Sequence, residues 1–167
     1  MIPTMIAPSP RVRGAYLRNV YERGWLTAAV DRVLRVLEGE LAGQFDTIAF
    51  SGHSGAAVAY PLAAMGHPIT CVRKRGENSR HPAARLKPEE KPGPYMTPVE
   101  GVIDRNLRYV IVDEQVCSGA TVQRIQQEIA AVEPTMRCVG LIVYQNAFLS
   151  NRWMYEAEGV RCFECLP

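Results

Sequence analysis

The sequence predicts a single α/β domain in which helices flank a mostly parallel central sheet. Short apolar runs typical of buried strands alternate along the chain with segments of helical periodicity. This alternation favours parallel strands joined by helical crossovers. A chain of 167 residues can bury one sizeable core and leaves no room for a second domain of ordinary size. We therefore interpret residues 1–167 as one domain.

The first segment with clear periodicity predicts a helix near the N-terminus. Its apolar residues recur at helical spacing, as in a helix that buries one face: Leu26, Ala29, Val30, Val33, Leu37 and Leu41. Thr27 is a candidate N-terminal cap, and Gly43 lies just beyond the expected C-terminal end. Residues 1–44 are accordingly interpreted as an N-terminal helical segment.

A buried strand predicted at residues 47–50 runs into the small-residue sequence of residues 51–55, and a helix is expected over about residues 56–65. Glycines in such a turn permit unusual backbone dihedrals, and the amides at a helix start can bind an anion. This turn is therefore a candidate anion site. Its candidate binding residues are Ser51, Gly52, His53 and Ser54.

A second strand is predicted at residues 68–72, and the chain then becomes basic over residues 73–98. Between residues 73 and 91, seven Lys and Arg stand against three Glu. Repeated prolines exclude a helix or central strand here, and a loop this long in a compact domain is typically functional or mobile. We predict a flexible basic loop within the domain; a solvated insertion is the alternative. Nucleic-acid contact is a weaker alternative, because the segment lacks interleaved aromatic residues.

The most informative segment is residues 109–121, where an apolar strand runs into two carboxylates and then a small, hydroxyl-rich turn. The helical spacing of Val122, Ile125 and Ile129 predicts a helix that begins near residue 118. The backbone amides of the turn can therefore converge on an anion. Asp113 and Glu114 suit vicinal hydroxyls, which need acceptors, or a Mg²⁺ ion shared with the ligand. This order of features predicts a site for a sugar phosphate.

The sequence from Val110 to Thr121 resembles the phosphoribosyl pyrophosphate (PRPP) motif of the type I phosphoribosyltransferases. The resemblance implies that Asp113 and Glu114 hold the ribose hydroxyls. It further implies that the 5-phosphate is bound by Cys117, Ser118, Gly119, Ala120 and Thr121, with Cys117 standing where the family usually has Thr or Ser. Residues 99–109 resemble the short hairpin that the family places before this strand.

The same resemblance implies that residues 51–54 bind pyrophosphate, with a cis peptide bond at Ser51–Gly52 or Gly52–His53. The basic loop then becomes a lid over the substrate. Its entry, Val72-Arg73-Lys74, resembles the catalytic loop of orotate phosphoribosyltransferase, although Glu77 stands where that loop has a second Lys. Arg73 and Lys74 are thus candidate catalytic residues beside Asp113 and Glu114.

The acceptor base is less clearly indicated. Purine salvage enzymes of the family carry a basic residue at the end of the next strand, here predicted over residues 136–144, but residues 141–146 contain no Lys or Arg. Candidate base-binding residues are Tyr144, Gln145 and Trp153, with core packing as the alternative role for the aromatic ones. The small hood that selects the base comes from residues 11–24 or from residues 151–167.

The resemblance implies transfer of the 5-phosphoribosyl group from PRPP to a nitrogenous base with release of pyrophosphate. Mg²⁺ is expected to bind mainly through PRPP, with Asp113 as a further candidate ligand. Family membership also implies a homodimer. A PRPP sensor without transferase activity is the main alternative, and a nucleic-acid-binding module is a weaker one.

Composition agrees with a soluble globular protein, since 47% of the residues are hydrophobic and 22% are charged. A net charge of +2 is too small to indicate nucleic-acid binding, and no apolar run approaches the roughly 20 residues of a membrane span. We expect a cytoplasmic protein without a signal peptide or a disulfide framework. Cys162 and Cys165 have metal-pair spacing but lack a second pair, so we interpret them as thiols of a terminal strand.

Overall fold

The computed structural model describes residues 24–73, 98–145 and 149–165, which form one sheet and its flanking helices. The strands are β1 (Thr47–Phe50), β2 (Ile69–Val72), β3 (Val99–Gly101), β4 (Arg108–Asp113), β5 (Arg137–Val143) and β6 (Arg161–Glu164). The helices are α1 (Trp25–Arg35, continued by a π-helical turn over Val36–Glu40), α2 (Gly52–Ala64), α3 (Ala120–Val132) and α4 (Arg152–Ala157). None of these helices is long and apolar enough to cross a membrane.

The strand order is β3-β2-β1-β4-β5-β6, and all neighbouring pairs are parallel except β2 and β3. The predicted α/β architecture with a mostly parallel sheet is therefore confirmed. The hairpin expected over residues 99–109 is wrong, because β3 pairs with β2 while β4 lies on the far side of β1. At Gly101 the two chains approach so closely that a Cβ atom would lie 2.2 Å from the carbonyl oxygen of Ile69.

The core has two layers, one on each face of the sheet. One layer joins the sheet to α1 and α2, and it contains the predicted apolar stripe of α1: Ala29, Val30, Val33, Leu37 and Leu41. The other joins the sheet to α3 and α4 through Val122, Ile125, Ile129 and Tyr155. Thr27 is not the N-terminal cap of α1, because the helix already begins at Trp25 after Gly24, whose φ of 80° favours glycine.

The helix after β1 starts four residues earlier than the sequence pattern indicated. Gly55, expected in a loop, lies in the first turns of α2, where a Cβ atom would be 2.7 Å from Cβ of Phe50 and 3.0 Å from the Val112 carbonyl oxygen. Glycine thus lets α2 lie directly on the sheet. The expected cis peptide bond is wrong as well: the bonds from Ser51 to His53 are trans, and the turn is made instead by Gly52 at a φ of 66°.

The connections place a topological switch point between β1 and β4. From β1 the chain passes through α2 to β2 on one side, whereas from β4 it passes through α3 to β5 on the other. Because β1 and β4 are adjacent and parallel, the two strand-to-helix turns diverge and leave a crevice at their carboxyl ends. In open α/β sheets, ligands bind in such crevices.

Candidate functional site

A cavity of about 250 Å³ opens at the switch point between β1 and β4. The acidic pair, the turn after it and the start of α3 supply almost the whole lining, and the first turn of α2 adds one residue. The lining residues are Ser54, Asp113, Glu114, Gln115, Val116, Cys117, Ser118, Gly119, Ala120, Thr121 and Val122. The structure thus brings the acidic pair and the hydroxyl-rich turn around one cavity.

The two carboxylates are largely buried, since Asp113 is 6% exposed and Glu114 is 4% exposed, and both line the cavity. Oδ1 of Asp113 accepts two hydrogen bonds, from the Ser54 hydroxyl at 2.8 Å and from the Glu114 amide at 2.9 Å. These bonds fix the orientation of the Asp113 carboxylate before any ligand binds. A pre-oriented acceptor of this kind suits hydrogen-bond donors such as sugar hydroxyls.

The turn after the acidic pair ends at Gly119, which caps α3 with a φ of 79°. The helix begins at Ala120, two residues later than expected, and no side chain caps it. The Ser118 hydroxyl accepts only a long 3.4 Å hydrogen bond from the Ala120 amide. Cys117, Ser118 and Ala120 are exposed and Gly119 is buried, so packing covers the glycine and leaves its neighbours in the turn open. Its helix-start amides and hydroxyls therefore provide a set of donors suited to a phosphoryl group.

Residues 149–155 of the C-terminal segment pack against the turn that follows the acidic pair. Val116 forms an isolated parallel bridge with Leu149, and its carbonyl accepts a 3.0 Å hydrogen bond from the Ser150 amide. Tyr155 of α4 is buried, and its hydroxyl would lie 2.6 Å from a Cβ atom at Gly119. Sequence reasoning missed Tyr155, since nothing in a single short helix indicates which distant turn it contacts.

The first turn of α2 lies beside the acidic pair, but its serine hydroxyls already have partners within the protein. Ser51 donates a hydrogen bond to the Val72 carbonyl at 2.5 Å and accepts one from Nη2 of Arg124 at 2.7 Å. Ser54 donates to Asp113, as described above. No side chain caps α2, so its first amides, together with exposed His53, are what this turn can offer an anion.

Several solved structures are similar to this chain in the arrangement of their strands and helices. Orotate phosphoribosyltransferase from Aeropyrum pernix is similar with a TM-score of 0.62 at 19% identity, over 89% of this chain and 75% of that one. UMP synthase from Leishmania donovani gives a TM-score of 0.61 at 16% identity over 86% of this chain, which spans only 27% of that protein. The complex of Mycobacterium tuberculosis H37Rv orotate phosphoribosyltransferase with PRPP gives 0.53 at 15% identity, over 92% and 80% of the two chains.

The chain has the type I phosphoribosyltransferase fold. No protein-family model matches the sequence, and no curated protein matches it by sequence. The fold is therefore shown by architecture, while the roles of individual site residues remain predictions.

On this phosphoribosyltransferase fold, the predicted basic residues divide into two groups. Arg73 immediately follows β2, and its guanidinium forms an ion pair with Glu100 of β3; it does not line the cavity. Lys74 and the rest of the predicted loop up to residue 97 lie outside the described residues. Residues 1–23 of the predicted N-terminal segment lie outside them as well. The catalytic roles of Arg73 and Lys74 stay predictions.

The residues predicted to bind the base do not gather at the cavity. Tyr144 is fully buried and donates a 2.5 Å hydrogen bond to the Ser54 carbonyl, so its ring belongs to the core and cannot stack on a base. Gln145 is half-buried, and its backbone amide donates a hydrogen bond to the backbone carbonyl of Glu114. Trp153 is 70% exposed on α4 and does not line the cavity. The Tyr144 prediction is therefore wrong, because an aromatic residue at a strand end fits a core equally well.

The cysteines have the arrangement expected for structural thiols, with one exception. All five lie in the described ranges and none forms a disulfide. Cys162 and Cys165 belong to opposite core layers, and burial raises the pKa of each thiol to about 11. Within residues 24–73, 98–145 and 149–165, no cluster of three metal-ligating side chains occurs. Cys117 is the exception, since it is exposed and lines the cavity.

Proposed function

We propose that this protein is a phosphoribosyltransferase that transfers the 5-phosphoribosyl group of PRPP to a nitrogenous base and releases pyrophosphate. The observation that carries the proposal is the single cavity lined by Asp113, Glu114 and the turn of residues 115–121 at the switch point of the sheet. The fold supports it, because the solved structures similar to this chain include orotate phosphoribosyltransferases, one of them in complex with PRPP.

The site offers separate partners for the two ends of a ribose phosphate. The carboxylates of Asp113 and Glu114 can accept hydrogen bonds from the ribose hydroxyls, which need acceptors. The amides at the start of α3, with the Ser118 and Thr121 hydroxyls, can donate to the 5-phosphate. Gly119 has a φ of 79° and no Cβ atom, which lets the turn lie directly against the Tyr155 hydroxyl. Binding both ends fixes the anomeric carbon relative to the incoming base.

The reaction needs no covalent nucleophile from the protein. The base nitrogen forms a bond to the anomeric carbon as the bond to pyrophosphate breaks, and the ribose ring carries positive charge in the transition state. If the ribose hydroxyls bind Asp113 and Glu114, these buried carboxylates would lie beside the ribose and could stabilise that charge. Negative charge develops on the departing pyrophosphate, and the uncapped start of α2 provides amides for it.

The donor set fits Mg²⁺ held mainly by the substrate. Asp113 and Glu114 supply oxygen ligands, and Mg²⁺ commonly binds through one or two carboxylates together with substrate phosphates. A complete protein cage for the metal is not required in such a site. When bound, the ion would neutralise charge on the leaving pyrophosphate.

We propose a purine or pyrimidine base as the acceptor. We also propose a homodimer, because the resemblance to type I phosphoribosyltransferases implies one. The direct test is a pyrophosphate-release assay with PRPP and Mg²⁺ across a panel of purine and pyrimidine bases. We expect release with at least one base, and loss of that release in a variant combining Asp113→Asn with Glu114→Gln. Asp31→Asn, an exposed carboxylate on α1, serves as the matched control. PRPP binding without release from any base would favour a PRPP sensor instead.

A further inference from the structure

Arg124, the fifth residue of α3, contacts the residue that precedes α2, next to the cavity but outside its lining. Its Nη2 donates a 2.7 Å hydrogen bond to the hydroxyl of Ser51, which donates in turn to the carbonyl of Val72. Ser51 is the last residue before α2, and Val72 ends β2. The guanidinium therefore lies where the carboxyl ends of β1 and β2 meet, beside the start of α2.

The charge of Arg124 is not matched by any carboxylate in the part of the chain that the structure describes. Arg108, Arg152 and Arg161 each form an ion pair there, whereas Arg124, like Arg32, does not. Its Nε is buried and has no hydrogen-bond partner among the same residues. A half-buried cation with an unpaired donor costs free energy unless an anion compensates it. The unpaired charge thus points to an anionic ligand.

We propose that Arg124 binds the diphosphate portion of the substrate, as a fixed cation supplied by α3. This inference rests on the proposed transferase function. Ser54 holds Asp113 at the ribose end, and Ser51 holds Arg124 three residues earlier on the chain. Ser51 immediately precedes α2 and Ser54 lies in its first turn, so the two groups that they hold are placed at the same end of this helix. The planar guanidinium presents paired N–H groups that match two phosphoryl oxygens.

Arg124 also differs from the basic residues of the predicted lid, because it is anchored in a packed helix. Ile125, the next residue, is fully buried in the core layer between α3 and the sheet. The packed helix fixes the backbone of Arg124, and the hydrogen bond to Ser51 orients its guanidinium. Preorganised charge of this kind needs little rearrangement as negative charge develops on the leaving group.

The test is titration calorimetry with two separate probes, inorganic pyrophosphate and ribose 5-phosphate, each in the presence of Mg²⁺. Arg124→Gln should weaken pyrophosphate binding by about 10- to 100-fold, the usual worth of a hydrogen bond to a charged group. Ribose 5-phosphate binding should change less than about twofold, since its phosphate binds the other turn. Arg124→Lys, which keeps the charge but loses the paired N–H groups, should give an intermediate loss.

Arg137→Gln is the matched control, because Arg137 is exposed at the amino end of β5, away from the crevice, and its loss should change neither affinity. Equal losses of both probes in the Arg124→Gln protein would mean that Arg124 only maintains the site, and would overturn the inference. Unchanged pyrophosphate binding in both Arg124 variants would also overturn it. If the wild-type protein binds PRPP and ribose 5-phosphate in that case, the proposed function survives; if it binds none of the three ligands, both proposals fail.

Discussion

The hydroxyl of Ser54 donates a 2.8 Å hydrogen bond to Oδ1 of Asp113 and thereby joins the start of α2 to the end of β4. The carbonyl of Ser54 in turn accepts the hydrogen bond of the buried Tyr144 hydroxyl at the end of β5. One residue thus ties three elements around the cavity. The predicted pyrophosphate contact of Ser54 stays a prediction, and its hydroxyl has a further role, since it positions the carboxylate of Asp113.

Replacing Ser54 with Ala tests this positioning role. We expect Ser54→Ala to weaken PRPP binding by about three- to tenfold, because Oδ1 of Asp113 loses the hydrogen bond from the Ser54 hydroxyl, which is worth roughly 1 kcal/mol. Ser54→Thr should retain most of the affinity. Calorimetric titration of both variants with Mg²⁺ and PRPP provides the measurement. Equal affinities for Ser54→Ala and wild type would contradict the role.

Gly119 and Tyr155 should be energetically coupled. Gly119→Ala combines an unfavourable positive φ, which costs roughly 1–2 kcal/mol, with a collision against the Tyr155 hydroxyl. We expect the variant to lose about 2–4 kcal/mol of unfolding free energy. Adding Tyr155→Phe removes the hydroxyl. The double variant should regain the free energy lost to the steric clash but not the free energy lost to the positive φ. Urea denaturation of the four proteins in this double-mutant cycle measures the coupling, and strict additivity would show that the two residues do not meet.

Cys117 should be the first cysteine to react with iodoacetamide. It is exposed in the cavity, whereas Cys71 is half-buried on β2. Burial raises the pKa of Cys138 to about 12 and of Cys162 and Cys165 to about 11, so few of those thiols are ionised near pH 8. Saturating PRPP should slow the reaction at Cys117, as followed by mass spectrometry of peptides. Cys117→Ser should lose the fast labelling and still bind PRPP, because the backbone donors of the turn remain. Labelling at an unchanged rate with PRPP present would place the ligand elsewhere.

The ion pair of Asp46 and Arg108 should make stability depend on pH in the acid range. Two guanidinium hydrogen bonds of 3.1 Å from Arg108, with its backbone amide, lower the pKa of the Asp46 carboxyl. A lowered folded-state pKa adds stability that is fully present above the unfolded value of about 3.9 and is lost as the pH falls from there through the folded-state pKa. Asp46→Asn should therefore lower the unfolding midpoint at pH 7 and have progressively less effect as the pH falls below about 4. A constant difference across this range would contradict the assignment.

The sequence predicted those features that depend on local pattern. The strand over residues 47–50 and the apolar stripe of α1 were predicted from periodicity, and the acidic pair and following turn were placed together because both belong to one strand-to-helix connection. Parallel strands bring their carboxyl ends to one edge, so the pairing of β1 with β4 then placed residues 51–54 beside Asp113.

Features that depend on tertiary contacts were not predictable. The glycines of residues 51–55 indicate a loop, but close packing of Gly55 on Phe50 turns them into the start of a helix. The partner of β3 is set by the sheet as a whole, so adjacency along the chain suggested β4 wrongly. Arg124 and Tyr155 approach the site from distant elements. No local pattern marks an arginine on an amphipathic helix as anything but solvated.

The central claim is that Asp113 and Glu114 hold the ribose of PRPP. The most direct measurement is the dissociation constant of PRPP with Mg²⁺ for the wild-type protein and for Asp113→Asn, Glu114→Gln and the double variant. We expect saturable binding to the wild type, a loss of about 10-fold or more in each single variant and a larger loss in the double variant, with all proteins folded. The same dissociation constant in all four folded proteins would contradict the account.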